Sequence, residues 1–225
     1  MTAQIIIWML AGIAAVLVVG WATVSGPEYL NPYFERAGLR ARTRVEYALI
    51  SALPTAFVAV FGTRDPFLVA TLPLVALFSL MVLIDATTKK QPNVLTFLAM
   101  AALVVGGVLG MIVRLIGFHH GTSLVGIAVG IVVWLFPLWL LNRVGGGVGL
   151  GDVKLAPVLG GWLGLYGAGV AFGGLLTAVI VGGIYALVLL TLGKVKWSST
   201  VAFGPALVIG ALVSWFVTGG AVSPW

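Results

Sequence analysis

The chain holds six acidic residues, and beyond position 65 only two of them remain, Asp85 and Asp152. Each stands where a long apolar stretch meets a short basic connection. Asp85 precedes Thr87-Thr88-Lys89-Lys90-Gln91-Pro92-Asn93, and Asp152 lies in Gly145-Gly146-Gly147-Val148-Gly149-Leu150-Gly151-Asp152-Val153-Lys154-Leu155. An ionisable side chain at a membrane boundary is costly and usually faces a bundle interior or water, which marks both acids as candidate functional groups. Two carboxylates brought together at a partly dehydrated site cannot both ionise readily, so the pair shares a proton. The ionised member can then take a proton from water while the protonated member polarises a carbonyl, the chemistry of aspartic peptidases.

Structural roles compete with this chemistry. Asp152, three residues before Leu155, could cap a helix N-terminus. The same explanation fits Asp85 less well, because the dipole at a helix C-terminus disfavours an acid. Gly149 and Gly151 would let an extended backbone or a partner helix approach Asp152 closely. Taken alone, the glycine run is equally consistent with small-residue packing or a connector.

The elements that must position these groups follow from composition. A chain of 225 residues with 61% hydrophobic residues, 8% charged residues and a mean hydropathy of +1.18 has too much apolar surface for a water-soluble domain. It reads as an all-α, polytopic transmembrane helix bundle: one membrane domain over 1–225, with about eight spans of ~20 residues. The spans are expected near 4–24, 46–61, 67–84, 94–117, 123–141, 168–192 and 201–218, with a short apolar helix near 150–165. Pro54 is expected to kink the second span. Pro92 suits the first turn of the helix after Asp85. Residues 25–45 form the longest polar connection, and the first segment, with no Lys or Arg before Arg36, reads as a retained anchor.

The net charge of +6 does not indicate a nucleic-acid partner, because the basic residues are scattered through short connections as topology determinants are. If the connection after the first span is cytoplasmic, then Arg36, Arg40, Arg42, Arg44, Lys89, Lys90, Arg143, Lys154, Lys194 and Lys196 fall inside. Only Arg64 and Arg114 fall outside, and both termini lie outside as well. Asp85 and Asp152 then share the cytoplasmic face.

Cysteine is absent, which excludes disulfides, thiolate zinc sites and cysteine nucleophiles. His119 and His120 are read as a surface turn and no metal is expected; no cofactor is needed either. The eight tryptophans, Trp8, Trp21, Trp162, Trp197 and Trp225 among them, are expected mostly near span ends as interfacial anchors.

At this point the residues resemble a known family. Asp85 followed after six residues by Pro92-Asn93, Leu95 and Thr96 reproduces a pattern of Asp, six residues, then Pro-Asn-x-Leu-Thr. Gly149-Leu150-Gly151-Asp152-Val153-Lys154-Leu155 matches Gly-x-Gly-Asp-x-Lys-Leu, and Phe203-Gly204-Pro205 resembles a C-terminal Phe-Gly-Pro. Together these are similar to the bacterial type IV prepilin peptidases, membrane aspartic proteases of the GxGD type, over roughly residues 67–210.

The resemblance implies cleavage of the basic leader of prepilin-like proteins at the cytoplasmic face of the inner membrane. Asp85 and Asp152 would be the catalytic pair, with Gly149, Gly151, Pro92, Asn93 and Lys154 in support; Lys154 would bias the dyad's protonation or snorkel at the interface. The partners implied are a prepilin or pseudopilin helix and the lipid bilayer. Many members carry an insertion with paired Cys-x-x-Cys motifs associated with N-methylation, which residues 25–45 are too short to hold, so no methyltransferase activity is expected. Gln91 replaces the apolar residue usual before the proline. The compact form resembles versions that serve tight-adherence or competence pseudopili, or pili of Gram-positive bacteria.

Three other readings stand beside this one. Pro205-Ala206-Leu207 is the motif that signal peptide peptidases and presenilins pair with a GxGD helix, although Asp85 lacks a preceding tyrosine. A carboxylate-based proton or cation transporter would place its acids near the bilayer midplane. A pilin-binding assembly factor would retain the fold without turnover.

Overall fold

The computed structural model describes residues 2–62, 65–118, 124–145, 148–193 and 202–219. Among the described residues the regular structure is helical. The elements are α1 (Thr2–Val24), α2 (Gly26–Arg36), α3 (Arg44–Phe61), α4 (Leu68–Thr88), α5 (Asn93–Phe118), α6 (Leu124–Arg143), α7 (Leu150–Gly164), α8 (Ala168–Thr191) and α9 (Gly204–Ser214). A π-helical turn, Trp215–Gly219, continues α9. Six helices (α1, α3, α4, α5, α6 and α8) are long and apolar enough to cross a membrane. The other two expected spans are shorter. α7 has 15 residues, and at 1.5 Å per residue such a helix covers roughly 22 Å. The last apolar helix runs over Gly204–Val217.

The helices cluster into two compact units, α1 to α5 in the first and α6 to α9 in the second.

In the first unit α4 is central, packed on α1, α3 and α5. Its sequence is apolar on every face, as a helix surrounded by others requires, and every residue from Leu68 to Phe78 is buried. Close approach to α5 depends on Gly106, where a Cβ would lie 2.5 Å from Ala70 Cα. The chain enters α4 through Asp65, a buried carboxylate whose Oδ1 accepts the Phe67 N–H at 2.8 Å. Although Asp65 lies in the connection between two helices, its oxygen satisfies a backbone donor inside the protein.

The polar residues 25–45 contain a helix of their own, α2. Pro27 sits in the first turn of α2, where its missing N–H has no cost, and Gly26, Leu30 and Phe34 form a buried stripe at i, i+4 spacing. Asn31 then ties α2 to the loop beyond it. Its Nδ2 donates to the Arg42 carbonyl at 3.1 Å, and its Oδ1 accepts the Arg42 N–H at 2.8 Å and the Tyr47 hydroxyl at 2.9 Å. Thr43 and Glu46 form a reciprocal capping box at the start of α3. Glu46 also accepts from Arg40 at 2.6 Å and Arg42 at 3.2 Å, so two of the four arginines share one carboxylate and the cluster keeps a net positive charge.

In the second unit α6 and α7 meet along glycines. A Cβ on Gly126 would lie 2.8 Å from the Gly164 carbonyl oxygen, and one on Gly130 would overlap the Gly160 carbonyl. Trp134 donates its indole N–H to the Ala171 carbonyl at 2.7 Å, joining α6 to α8. Trp162 corrects the interfacial expectation: it is fully buried and stacks on Trp215 at 6.3 Å between ring centroids. Indole area this large contributes more inside a core than at a rim. Phe203, at the head of α9, fits against Gly182 of α8, where a Cβ would overlap its ring. Within this unit the Phe203-Gly204-Pro205 segment is a packing element.

Candidate active site

Asp85 lies in the last turn of α4. The helix runs one turn beyond the expected end at 84, and three groups in that turn hold the last carbonyls. Thr87 Oγ1 donates to the Leu83 carbonyl at 2.7 Å, and Thr88 Oγ1 donates to that of Ile84 at 2.8 Å. Lys89 donates its N–H to the Asp85 carbonyl at 2.8 Å and stops the helix in the left-handed region at φ 53° and ψ 30°. Asp85 itself is 6% exposed, although Ala86 and Thr87 beside it are open. The short connection that follows therefore leaves from a fixed point.

Pro92 stands immediately before α5 and accepts the Thr96 N–H at 3.4 Å, the first helical bond of that element. It lies one position ahead of the helix it was expected to begin. Pro92, Leu95 and Thr96 are buried, while Asn93 is exposed. Gln91 is a residue that sequence reasoning treated as a mild change. Its side-chain oxygen and nitrogen are both withdrawn from solvent and have no hydrogen-bond partner among the described residues.

Asp152 is the third residue of α7, in the second unit. Gly149 precedes the helix in extended conformation, φ −76° and ψ 154°, and donates its N–H to Asp152 Oδ2 at 3.1 Å. This is half of a capping box, since glycine has no hydroxyl to return the bond. The capping role considered from sequence is thus geometrically present in Asp152, which is also 6% exposed. Gly149 does not need to be glycine for space: a Cβ there would sit 3.5 Å from Asp152 Oδ2, an ordinary contact. Gly151 occupies the first turn between Gly149 and Asp152, and Lys154 is exposed.

One contact was missed from sequence. Asn142, near the end of α6, donates its Nδ2 to the Val148 carbonyl at 2.8 Å, directly before Gly149. Its only sequence signal is an amide side chain closing an apolar span next to Arg143.

Besides Asp65, whose oxygen holds the Phe67 N–H, the first unit buries Asp85 in the last turn of α4, and the second buries Asp152 in the first turn of α7. A buried acid of this kind can hold or release a proton according to its neighbours, which suits general acid–base work. Metal ligation finds no support among the described residues, where no group of three or more His, Cys, Asp or Glu gathers. His119 and His120 lie outside the described residues.

Comparison with known proteins gives these residues a context. Residues 72–222 match the model of the type IV leader peptidase family. The chain is 28% identical over 193 residues to a prepilin leader peptidase/N-methyltransferase of Aeromonas salmonicida (strain A449), an alignment covering 84% of this chain and 63% of that protein. It is 29% identical over 200 residues to a protein of the same name from Burkholderia pseudomallei (strain 1026b), covering 82% and 61%. The chain thus spans somewhat over three fifths of the length of these curated relatives. No solved structure matches it. The match covers well over half of the chain and contains both Asp85 and Asp152, and by that measure this protein belongs to the type IV leader peptidase family.

Proposed function

We propose that this protein is a membrane aspartic endopeptidase that removes the short basic leader from type IV prepilin-like precursors, with Asp85 and Asp152 as its catalytic pair. One observation carries the reading. Of the chain's six acids, only Asp85 and Asp152 fall within the family-matched residues 72–222, and both are buried. Buried acids on apolar helices are expensive to keep unless they serve a site.

In the proposed reaction the two carboxylates share one proton. The ionised member takes a proton from a water molecule as its oxygen attacks the scissile carbonyl, and the protonated member gives its proton to the carbonyl oxygen. The tetrahedral diol then collapses. The C–N bond breaks, the leaving nitrogen gains a proton from the dyad, and the new carboxyl terminus departs with the leader. No cofactor enters this balance.

The substrate's apolar helix would lie in the bilayer while its leader reaches the acids from the cytoplasm. The basic residues flanking both acids, Lys89 and Lys90 after Asp85 and Arg143 and Lys154 around Asp152, support a cytoplasmic site. Pro92 and Asn93 would fix the connection leaving Asp85. Gly149 and Gly151 would keep the approach to Asp152 low, and Lys154, being exposed, would snorkel to the interface. Methyl transfer, which the relatives' names include, is not part of the proposal.

The test is co-expression with a prepilin, scored by the N-terminal sequence of the pilin. Cleavage at the boundary between leader and apolar helix, lost in both Asp85→Asn and Asp152→Asn, is the expected result. Full membrane insertion with no cleavage of any prepilin would favour an assembly factor or a transporter.

A further inference from the structure

We infer that Asn142 is a positioning residue for Asp152, acting through the single peptide group between Val148 and Gly149. This deepens the peptidase reading and rests on it.

The two ends of that peptide group are both engaged within the second unit. Its carbonyl, on Val148, accepts the Asn142 Nδ2 proton at 2.8 Å. Its N–H, on Gly149, donates to Asp152 Oδ2 at 3.1 Å. A donor on the carbonyl polarises the amide and strengthens the N–H as a donor, so the two bonds support each other. The rotation of the Asp152 carboxylate is thereby referred back to the end of α6 rather than to the loop alone.

The surrounding sequence makes such an anchor necessary. Gly145 adopts φ 76°, a left-handed conformation in which glycine is unstrained, and Gly149 and Gly151 bracket Leu150 at the helix start. Glycines resist rotation of a peptide plane poorly. With no Cβ on Gly149, turning the Val148–Gly149 plane meets little steric opposition, and the N–H could leave the carboxylate at small cost. Asn142 is held by the last turns of α6, where the Val144 N–H bonds to the Leu140 carbonyl at 3.0 Å. It is therefore a rigid support for the Val148–Gly149 peptide. Groups that hold a reacting carboxylate within a fraction of an ångström act on turnover more than on substrate affinity.

The experiment compares purified wild type, Asn142→Leu and Asn142→His on a prepilin substrate, together with amide hydrogen exchange over residues 145–153 in the same preparations. Leucine removes the donor at similar volume. Histidine presents a ring N–H at the same distance from the backbone and can replace it. Asn142→Leu is expected to lower kcat by about ten- to hundredfold with KM changed by less than about twofold, and to speed exchange at Gly149. Asn142→His should recover a measurable part of both. Wild-type turnover with Asn142→Leu within twofold of it would overturn the inference and leave the peptidase reading standing. Lost turnover with unchanged Gly149 exchange would also overturn it, since the effect would then bypass the peptide. If Asn142→Leu does not fold, Asn142→His decides: a folded histidine variant without recovery of Gly149 protection contradicts the role. Absence of turnover in the wild type would overturn the peptidase reading itself, and the catalytic role of Asn142 with it.

Discussion

Lys89 closes α4 by donating its N–H to the carbonyl of Asp85 at 2.8 Å, and it does so with a left-handed backbone at φ 53°. Among the described residues it is the one non-glycine with positive φ. An L side chain held there costs about 1 kcal/mol, and glycine is the usual residue at such a helix end. Lys89→Gly is therefore expected to raise stability by about 0.5–1 kcal/mol, read as a higher thermal midpoint in detergent. A lower midpoint would mean that the lysine side chain contributes more than its backbone costs.

Gln91 supplies a second stability prediction. A side-chain amide withdrawn from solvent with neither atom paired among the described residues forfeits its hydration without return, at about 1–3 kcal/mol for each unsatisfied group. Gln91→Leu keeps the volume and removes both atoms, so it should stabilise the protein by about 1–2 kcal/mol in thermal or chemical unfolding. Destabilisation by that change would show that the amide has a partner, such as a bound water.

Gly160 faces Gly130 so closely that a Cβ would overlap the carbonyl of its neighbour. Gly160→Val should force α6 and α7 apart and destabilise the second unit by roughly 2–3 kcal/mol or more, because overpacked backbone cannot relax like a side chain. Loss of folded protein on size-exclusion chromatography is the expected readout. A well-folded variant would show that the two helices can separate without penalty.

Gly151 tests access rather than packing. Gly151→Leu is expected to reduce prepilin turnover at least about tenfold while the protein remains inserted and folded, by obstructing the approach to Asp152. Undiminished turnover would remove that role from the glycine.

How much of this was legible in the sequence depends on whether a residue's role is local. The long helices were legible because apolar runs of about 20 residues admit few other structures. Asp85 and Asp152 stood out for the same reason, as acids are rare beside such runs. α2 was hidden by Pro27 and Pro32, which resemble turn signals; its evidence lay in the i, i+4 spacing of Gly26, Leu30 and Phe34. Trp162 suits an interface by type, and only its stacking on Trp215, more than fifty positions away, places it in a core. Asp65 is a loop acid by position, and nothing in composition announces that it is buried with its oxygen on the Phe67 N–H. Asn142 was illegible for a related reason: its hydrogen bond reaches a backbone carbonyl, and a backbone partner leaves no side-chain signature.

The most direct measurement is turnover of a purified prepilin by wild type, Asp85→Asn and Asp152→Asn in the same lipid nanodiscs, with folding of each variant checked by its thermal midpoint. Either substitution should lower kcat by about three orders of magnitude or more and leave the midpoint near that of the wild type, because two members of one acid–base pair fail together. Substantial cleavage by either variant would contradict the catalytic pair at the centre of this account.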